Sequence, residues 1–281
     1  MRRPNLRMKY WKARQLSSKK FKRKTGISPR TYRIMVRLVK DKETGKKKPG
    51  RPPELRIEEQ VLIALEYWRE YRSYYHIGLD WGVSESTVCR TVHKIENILI
   101  RSRKFSLPGK KSLLNSSLDT NLIVMDVMES PIERPTKHQK IFYSGKQKEH
   151  TLKTQLIIEQ KSLKIICLKH GRGKTHDFKL FKNSGIKFSE LLKLIADKGY
   201  QGIAKIHRLS ATPIKKPRGG KLTKEQKRYN RELNRLRIVI EHINRRLKIF
   251  KILSYPYRNR HKRFGLRSNL IAGIYNYELA L

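Results

Sequence analysis

Apolar positions recur along this chain with two different spacings, which divide it into a helical first part and a strand-rich second part. In residues 54–100 they recur every three or four positions, the spacing of one face of an amphipathic helix. After residue 120 the apolar runs become short and rich in Ile, Val and Leu, which is typical of buried strands. These runs predict strands at 122–127, 152–159, 163–170 and 191–197, and a short final strand at 212–217.

Two further short helices are predicted near the N-terminus, at 16–26 and 28–40. A glycine is placed to end the first helix, and a Ser-Pro pair is placed to begin the second. Segments 40–54 and 104–117 have no periodicity and are predicted to be linkers. KKPGRPP in the first linker partly matches the short Arg-Gly-Arg-Pro segments that lie in A·T-rich minor grooves, and a plain basic linker is the alternative.

The stretch YYHIGLDW, the turn GVS and the stretch ESTVCRTVHKIENIL predict two helices around a glycine turn, the second of them amphipathic. Ser84 is placed to cap the second helix. This is the helix-turn-helix pattern, whose second helix enters the major groove of DNA. A plain helical bundle with a charged face is the alternative interpretation. The side chains that we expect to face DNA are Ser86, Thr87, Arg90 and Lys94.

A single long helix is predicted over residues 224–251, because its apolar residues alternate at spacings of four and three. A basic stretch at 258–267 separates it from a last amphipathic helix. The stripe expected to pack on the sheet consists of Tyr229, Leu233, Leu236, Ile240, Ile243, Leu247 and Phe250.

Two of the predicted strands end in an aspartate, Asp126 in one and Asp197 in the other. Burying an unpaired carboxylate is costly, so each should lie at a strand end, where polar sites are built at the rim of a sheet. Glu241 follows Ile240 on the long helix and therefore lies beside the apolar stripe. Arg237 shares its face of the helix, together with Asn234 and Lys248.

Three carboxylates close together repel one another unless cations bridge them. Hard oxygen ligands favour Mg²⁺ or Mn²⁺, and two such ions in one site act on phosphodiesters. The alternative is that Asp126 and Asp197 are turn residues and that Glu241 forms a helical salt bridge with Arg237 or Arg245.

The charge balance strengthens the nucleic-acid interpretation. Sixty-seven Lys and Arg face 23 Asp and Glu, a net charge of +44. A polyanion is the natural partner of such a chain, and a basic solvated surface or a membrane-surface binder is the alternative. Cys89 and Cys167 are far apart, which gives neither a zinc motif nor a disulfide framework. No apolar run approaches the length of about 20 residues that spans a bilayer.

Several motifs in the same order resemble the transposases of bacterial insertion sequences. They are MDVMESPIERP, GRGKTHDFKLFKNS, ADKGYQG, RIVIEHINRRLKIFKIL and YRNRHKRFGLRSNLIAGIYNYEL. The resemblance is to the insertion-sequence-five type, related to the eukaryotic Harbinger group, and it runs roughly from Leu16 to the C-terminus. It implies a basic helical region at 1–50, a helix-turn-helix domain at 51–103 and a DDE catalytic domain with a ribonuclease H-like mixed sheet at 118–281. The fold class is therefore α+β or α/β, with the helical part first.

The resemblance also implies roles for single residues. Asp126, Asp197 and Glu241 would be the three catalytic, metal-binding acids. The helix motif of the family is Tyr-x2-Arg-x3-Glu-x6-Lys, and Arg237 and Lys248 fill its basic places, where they would hold phosphates. Asn234 stands where the family has Tyr, which puts any role specific to Tyr in doubt.

A His-Asp pair, His176 and Asp177, matches a family motif between the two aspartates and should lie near the site. A role for His176 as a cap at the start of a helix is the alternative.

The implied reaction is metal-dependent cleavage at the ends of the element, followed by attack of the freed 3′-hydroxyl on target DNA. The implied partners are double-stranded DNA, both terminal inverted repeats and target, and further copies of the chain, with no membrane and no small-molecule substrate. We expect a cytoplasmic, nucleoid-associated bacterial protein. A catalytically silent, domesticated DNA-binding protein and a ribonuclease H-like nuclease that does not join strands are the alternatives.

Overall fold

A computed structural model describes residues 7–45, 53–114 and 122–281. Most of the KKPGRPP stretch and part of the second predicted linker lie outside these residues. The chain divides into two compact units, which we call the helical unit and the sheet unit. The helical unit comprises Met1–Ser106, Lys248–Tyr255 and Arg263–Leu281, and the sheet unit comprises Leu107–Leu247 and Pro256–Lys262.

The compact units group the elements differently from the predicted domains, which stay predictions. The N-terminal region and the helix-turn-helix belong to one unit rather than two. The last helix, which we expected within the catalytic domain, also belongs to the helical unit. Periodicity identified each helix but not the helix it packs against, because that choice depends on contacts between distant parts of the chain.

The helical unit is built from seven α-helices within the described residues. Both predicted N-terminal helices are present, preceded by a short helix that we did not predict. Gly26 ends the second helix in the left-handed conformation, and the Ser28 hydroxyl accepts from Thr31 N at the start of the third. The helices are α1 (Arg7–Arg14), α2 (Ser18–Thr25), α3 (Pro29–Thr44), α4 (Ile57–Glu70), α5 (Tyr74–Trp81), α6 (Glu85–Arg101) and α10 (Phe264–Leu279).

The turn between α5 and α6 is tight because of its glycines. Gly82 ends α5 in the left-handed conformation with φ 68°. A Cβ on Gly78 would lie 2.6 Å from the carbonyl oxygen of Val83, so only glycine fits there. Ser84 caps α6 by accepting a hydrogen bond from Thr87 N at 3.2 Å. The predicted helix-turn-helix is therefore present, with the predicted cap.

A buried ion pair joins α6 to the C-terminal helix. Glu96 is fully buried and accepts from Arg267 Nε at 2.7 Å and from Arg263 Nε at 2.6 Å. The Trp68 indole N–H of α4 donates to the same carboxylate at 3.1 Å. Three segments distant in sequence thus share one polar centre, which explains why α10 packs with the N-terminal helices.

The sheet unit has six strands and the long helix. The strands are β1 (Leu122–Pro131), β2 (Tyr143–Ser144), β3 (Glu149–Glu159), β4 (Ile165–Arg172), β5 (Lys193–Ala196) and β6 (Ser210–Ala211), and the helices are α7 (Gln139–Phe142), α8 (Asp177–Lys182) and α9 (Lys224–Lys248). The main sheet has the order β4-β3-β1-β5-β6, in which β4, β3 and β1 pair antiparallel and β1, β5 and β6 pair parallel. The short β2 pairs with the start of β3.

The core of the sheet unit lies mainly on one face of the sheet. Ile123 and Met125 of β1 pack there with Ile157 of β3, Phe181 of α8 and Tyr200. Successive residues of a strand point to opposite faces, so Asp126 points away from this core toward the side where α9 reaches it.

Two details of the predicted elements are corrected. The last strand is Ser210–Ala211, and residues 212–217, where we predicted it, form no strand. In α9 the predicted residues Tyr229 and Leu236 are exposed, whereas Leu233, Ile240, Ile243 and Leu247 are buried as expected. The fold-class prediction is confirmed: helices with a helix-turn-helix come first, and a mixed sheet with helices follows. No helix in the described ranges is long and apolar enough to cross a membrane.

Candidate active site

Asp126 and Asp197 occupy equivalent places on two adjacent parallel strands. The parallel pairing of β1 with β5 ends at the pair Met125 and Ala196, so each aspartate is the next residue along its strand. The sequence predicts Asp126 at the end of its strand, and the structure corrects this. Strand β1 continues past Asp126 to Pro131 in antiparallel pairing with β3. The neighbouring strand β5 ends beside Asp126. The carboxylates of Asp126 and Asp197 therefore lie together at this edge of the sheet.

Two side chains of α9 reach this pair. Arg237 lies 3.2 Å from Asp197 through Nη1 and 3.9 Å from Asp126 through Nη2. Asn244 donates from Nδ2 to Asp126 Oδ2 at 3.4 Å. The two residues are seven positions apart, so two turns of α9 present them on the same face. The arginine is buried and links the two acids as a shared cation.

The protonation of Asp126 reflects its surroundings. Burial raises the pKa of Asp126 to about 6, and the nearby Arg237 guanidinium partly offsets this effect. Asp197 and Asp177 contribute negative charge in the same direction as burial. Burial, with the same three carboxylates nearby, also raises the pKa of Tyr200 well above its ordinary value. The site is therefore a concentration of negative charge, and Arg237 is the cation that lies between Asp126 and Asp197.

The third predicted acid does not join the pair. Glu241 is exposed on α9, and no hydrogen bond or ion pair of its side chain occurs among the described residues. Lys248, at the end of α9, and Asn234 are likewise exposed. Within the described part of the chain, no group of three or more His, Cys, Asp and Glu side chains is placed to hold a metal ion.

The His-Asp pair lies at the start of α8, and its two members do different things. His176 is exposed and caps the helix, accepting from Phe178 N through Nδ1 at 3.3 Å, which is the alternative that we considered for it. Asp177 turns toward the sheet and forms an ion pair with Lys153 of β3 at 2.8 Å. Of the two, Asp177 is the one whose charge acts on Asp126.

The four residues expected to face DNA divide into two groups. Ser86 and Arg90 are exposed on α6, and Thr87 is half-buried beside the cap. Lys94 points elsewhere: it forms an ion pair with Glu43 of α3 at 3.1 Å and donates to Gln60 Oε1 of α4 at 3.0 Å. The prediction that Lys94 faces outward is therefore wrong. Helices α3 and α4 pack beside α6, and Lys94 binds Glu43 and Gln60 on them.

Sequence reasoning missed one polar residue of the site, Asn244, and one that lies behind it, Lys153. Asn244 follows Arg237 by two helical turns, a spacing that could have identified it. Lys153 is a lysine inside an otherwise buried strand, LKTQLIIE, which is itself a signal that a partner lies nearby. Neither belongs to a pattern that pointed to chemistry by itself.

The donor set suits a divalent cation. Two carboxylates lie side by side at one edge, and hard oxygen ligands of this kind are those that Mg²⁺ and Mn²⁺ prefer. The Oδ1 atom of Asn244 is buried and has no hydrogen-bond partner, and the same holds for Nε of Arg237. Such unsatisfied buried atoms indicate a polar site that is still incomplete.

Comparisons with known proteins identify the family of the chain. The family described as "DDE superfamily endonuclease" matches residues 125–276, and "Helix-turn-helix of DDE superfamily endonuclease" matches residues 53–105. A protein named as the probable transposase for insertion sequence element IS702 of Microchaete diplosiphon is 73% identical over 274 residues, covering 98% of this chain and 99% of the relative. A protein named as a candidate transposase for insertion sequence element IS112 of Streptomyces albus G is 26% identical over 234 residues, covering 82% and 83%. No solved structure matches the chain significantly.

These matches confirm that the chain is an enzyme that acts on DNA, with a DNA-binding part followed by an endonuclease part. Endonucleases of this family generally use divalent metal ions. The chain belongs to the DDE superfamily endonucleases, as an insertion-sequence transposase with an N-terminal helix-turn-helix.

Proposed function

We propose that this transposase binds the terminal inverted repeats of its own insertion sequence and both cleaves and joins DNA strands at the edge formed by Asp126 and Asp197. The observation that carries the proposal is the register of β1 and β5, which sets the two carboxylates side by side. Nothing in the packing of the sheet requires two acids at adjacent positions, and their mutual repulsion is costly without a cation.

The metal in the proposal is Mg²⁺ or Mn²⁺, with two ions in each site. Asp126 and Asp197 would hold them, and Asn244 Oδ1 is an additional oxygen within the site. When bound, the ions supply positive charge that stabilises the attacking and leaving oxygens of a phosphodiester. Glu241 is the proposed third acid. It lies on α9 one turn after Arg237, on the flank of the face that meets the aspartates, and its exposed carboxylate is free to bind a cation.

The proposed chemistry has two steps. A water oxygen bonds to phosphorus at the end of the element and the bond from phosphorus to the 3′-oxygen breaks, which releases a 3′-hydroxyl. The oxygen of that hydroxyl then bonds to phosphorus of a target phosphodiester while the bond from that phosphorus to the target 3′-oxygen breaks. This joins the strands, and the proton lost by the attacking hydroxyl is balanced by the one that the released target 3′-hydroxyl takes up. Arg237 would move from the aspartates to substrate phosphate once cations replace its charge, and Lys248 would hold a second phosphate.

The helix-turn-helix supplies recognition in this proposal. The exposed Ser86 and Arg90 of α6 are suited to base edges or phosphates, whereas Lys94 is engaged with Glu43 and would contribute little. Cutting two ends and joining them requires two active sites, so the proposed working form contains at least two copies on DNA. Ultracentrifugation of the protein mixed with end DNA measures this directly.

The test uses the purified full chain with linear duplex that carries both ends of its element and flanking DNA. The reaction is run with Mg²⁺, with Mn²⁺ and with Ca²⁺. Asp126→Ala, Asp197→Ala and Glu241→Gln are compared with Glu190→Gln, which alters an exposed acid of the same unit. We expect cleavage at the ends and joined products with Mg²⁺ or Mn²⁺, no products with the three site variants, and normal products with Glu190→Gln.

Each other outcome selects an alternative. Tight binding to the ends without cleavage under any divalent cation would identify a silent DNA-binding protein. Cleavage without joined products would identify a nuclease. Cleavage that persists in Asp126→Ala would move the active site elsewhere in the chain.

A further inference from the structure

We propose that Lys153 is a positioning residue for the active site, which sets the place of Asp197 through an ion pair with Asp177 and the close approach of Asp177 to Gly199. This inference rests on the proposed function, in which Asp126 and Asp197 hold the catalytic cations. Lys153 itself lies in β3, on the opposite face of the sheet from Asp126, and would touch neither substrate nor cation.

The first link is the lysine with its two acids. Lys153 Nζ lies 2.8 Å from Asp177 Oδ1 and 3.8 Å from Glu129 Oε1, and Glu129 is its direct cross-strand partner on β1. Thr151 donates to the other oxygen of Glu129 at 2.7 Å. The lysine side chain is 10% exposed and that of Glu129 is 9% exposed, so both are held in one geometry by packing and by charge. Truncating one member of such a group leaves buried charge without a partner.

The second link runs from Asp177 to the turn that follows Asp197. Residues Lys198–Tyr200 form a 3-10 turn directly after Asp197, and α8 packs against it. A Cβ on Gly199 would lie 3.1 Å from Asp177 Oδ2, so the carboxylate already lies against the backbone of the turn. A glycine permits this approach, and any larger residue would push the turn or the carboxylate away.

The other side of the turn is anchored in the core. Tyr200 is completely buried, and its hydroxyl donates to Gln155 Oε1 at 3.4 Å. Gln155 and Lys153 are two residues apart on β3 and therefore point to the same face of the sheet. The turn thus lies against Asp177 of α8 at Gly199 and is bonded to β3 at Tyr200, and Asp197 is the residue immediately before it.

The consequence is geometric. β5 ends at Ala196, so the backbone passes from the ladder directly into the turn at Asp197. The packing of the turn therefore influences where the carboxylate of Asp197 lies relative to Asp126. Lys153 also supplies the positive charge beside Asp177, which otherwise would add an unbalanced carboxylate next to the pair. Partners that hold ligand side chains in this way typically change metal affinity by about 10–100-fold when they are altered.

The experiment measures Mn²⁺ binding to the full-length protein in the absence of DNA, by calorimetry, together with the thermal midpoint of unfolding. Lys153→Met and Lys153→Arg are compared with Lys193→Met, which alters an exposed lysine at the far end of β5. Lys153→Met should weaken Mn²⁺ binding by about 10-fold or more, and Lys153→Arg should restore most of it. Lys193→Met should bind as the wild type does.

Two further variants keep the test decisive. Gly199→Ala displaces the turn without changing any charge, so it should also weaken Mn²⁺ binding even if Lys153→Met does not fold. The double variant Lys153→Met with Asp177→Asn should bind no more weakly than Lys153→Met alone, because both changes break the same connection. A merely structural role for Lys153 would lower the thermal midpoint and leave the Mn²⁺ affinity of the folded protein unchanged.

Asp197→Asn separates this inference from the proposed function. If Asp197→Asn loses Mn²⁺ while folded Lys153→Met and Gly199→Ala bind it like the wild type, the positioning role is wrong and the active site stands. If Asp197→Asn binds Mn²⁺ like the wild type, the proposed function itself fails.

Discussion

At the scale of single residues, the carboxyl group of Asp126 is costly to ionise. It is covered by the strand on one side and by α9 on the other, and Arg237 compensates only part of the cost of its ionisation. The rise of its pKa from the ordinary 3.8 to about 6 measures the part of this cost that Arg237 does not compensate. A divalent cation bound at this edge would offset the remaining cost of ionising Asp126.

The stability of the metal-free protein should therefore depend on Asp126. Because its folded-state pKa is raised, the folded protein holds the proton more tightly than the unfolded chain, and this stabilisation is lost as pH rises from about 4 through about 6. Asp126→Asn stays neutral, so it should be more stable than the wild type by on the order of 3 kcal/mol at pH 7.5 and similar to it at pH 4. Chemical unfolding in the presence of a chelator measures both.

The control for this measurement is Glu190→Gln, an exposed carboxyl of the same unit. It should follow the wild type at both values of pH. Parallel stability profiles of the wild type and Asp126→Asn between pH 4 and pH 7.5 would contradict the raised pKa.

At the scale of elements, α6 and α9 each bury a largely apolar stripe and expose basic side chains. On α6 the packing of α3 and α4 removes Lys94 from the exposed face and leaves Arg90 on it. On α9 the side opposite the buried stripe exposes a row of cations. They are Lys224, Lys227, Arg228, Arg231, Arg235, Arg245 and Arg246.

Arg90→Ala should weaken binding to the terminal repeat by about 1–3 kcal/mol and reduce discrimination against a scrambled duplex. Lys94→Ala is the matched control on the same helix. It loses an intramolecular ion pair with Glu43, so its effect on DNA affinity should be much smaller. Gel-shift titrations of both duplexes at one salt concentration measure the difference, and equal losses in the two variants would contradict the assignment.

The basic face of α9 should act on DNA without regard to sequence. Replacing Arg231 and Arg235 by Gln should lower the slope of log affinity against log salt by about 0.9 for each DNA phosphate that the variant no longer neutralises. Binding to repeat and scrambled duplexes should weaken alike. An unchanged salt slope would mean that this face is only a solvated surface.

At the scale of the whole molecule, the chain builds its helical unit from discontinuous segments. The segment after α9 and the helix α10 return to the N-terminal helices, and the buried carboxylate of Glu96 binds Arg263 and Arg267 there. The C-terminal helix is thus part of the framework that holds α6, the second helix of the helix-turn-helix.

Glu96→Gln should destabilise the protein by about 3–5 kcal/mol, because it leaves Arg267, which is completely buried, without its counter-charge. Glu85→Gln on the exposed start of α6 is the control and should cost far less. Chemical denaturation of both variants provides the comparison. Similar midpoints for the two would show that the buried pair contributes little.

The sequence by itself determined the main elements and the family of the chain. Local spacing predicted α9 and the helix-turn-helix, and the motifs pointed to Asp126 and Asp197 as candidate catalytic acids, because periodicity and motif spacing are properties of neighbouring residues. The tertiary structure decided what depends on the packing of distant residues. It set the register that pairs the two aspartates, turned Lys94 toward Glu43, and placed α10 in the helical unit. Contacts between residues that are distant in sequence depend on packing and charge across the whole fold. Local sequence patterns do not specify them.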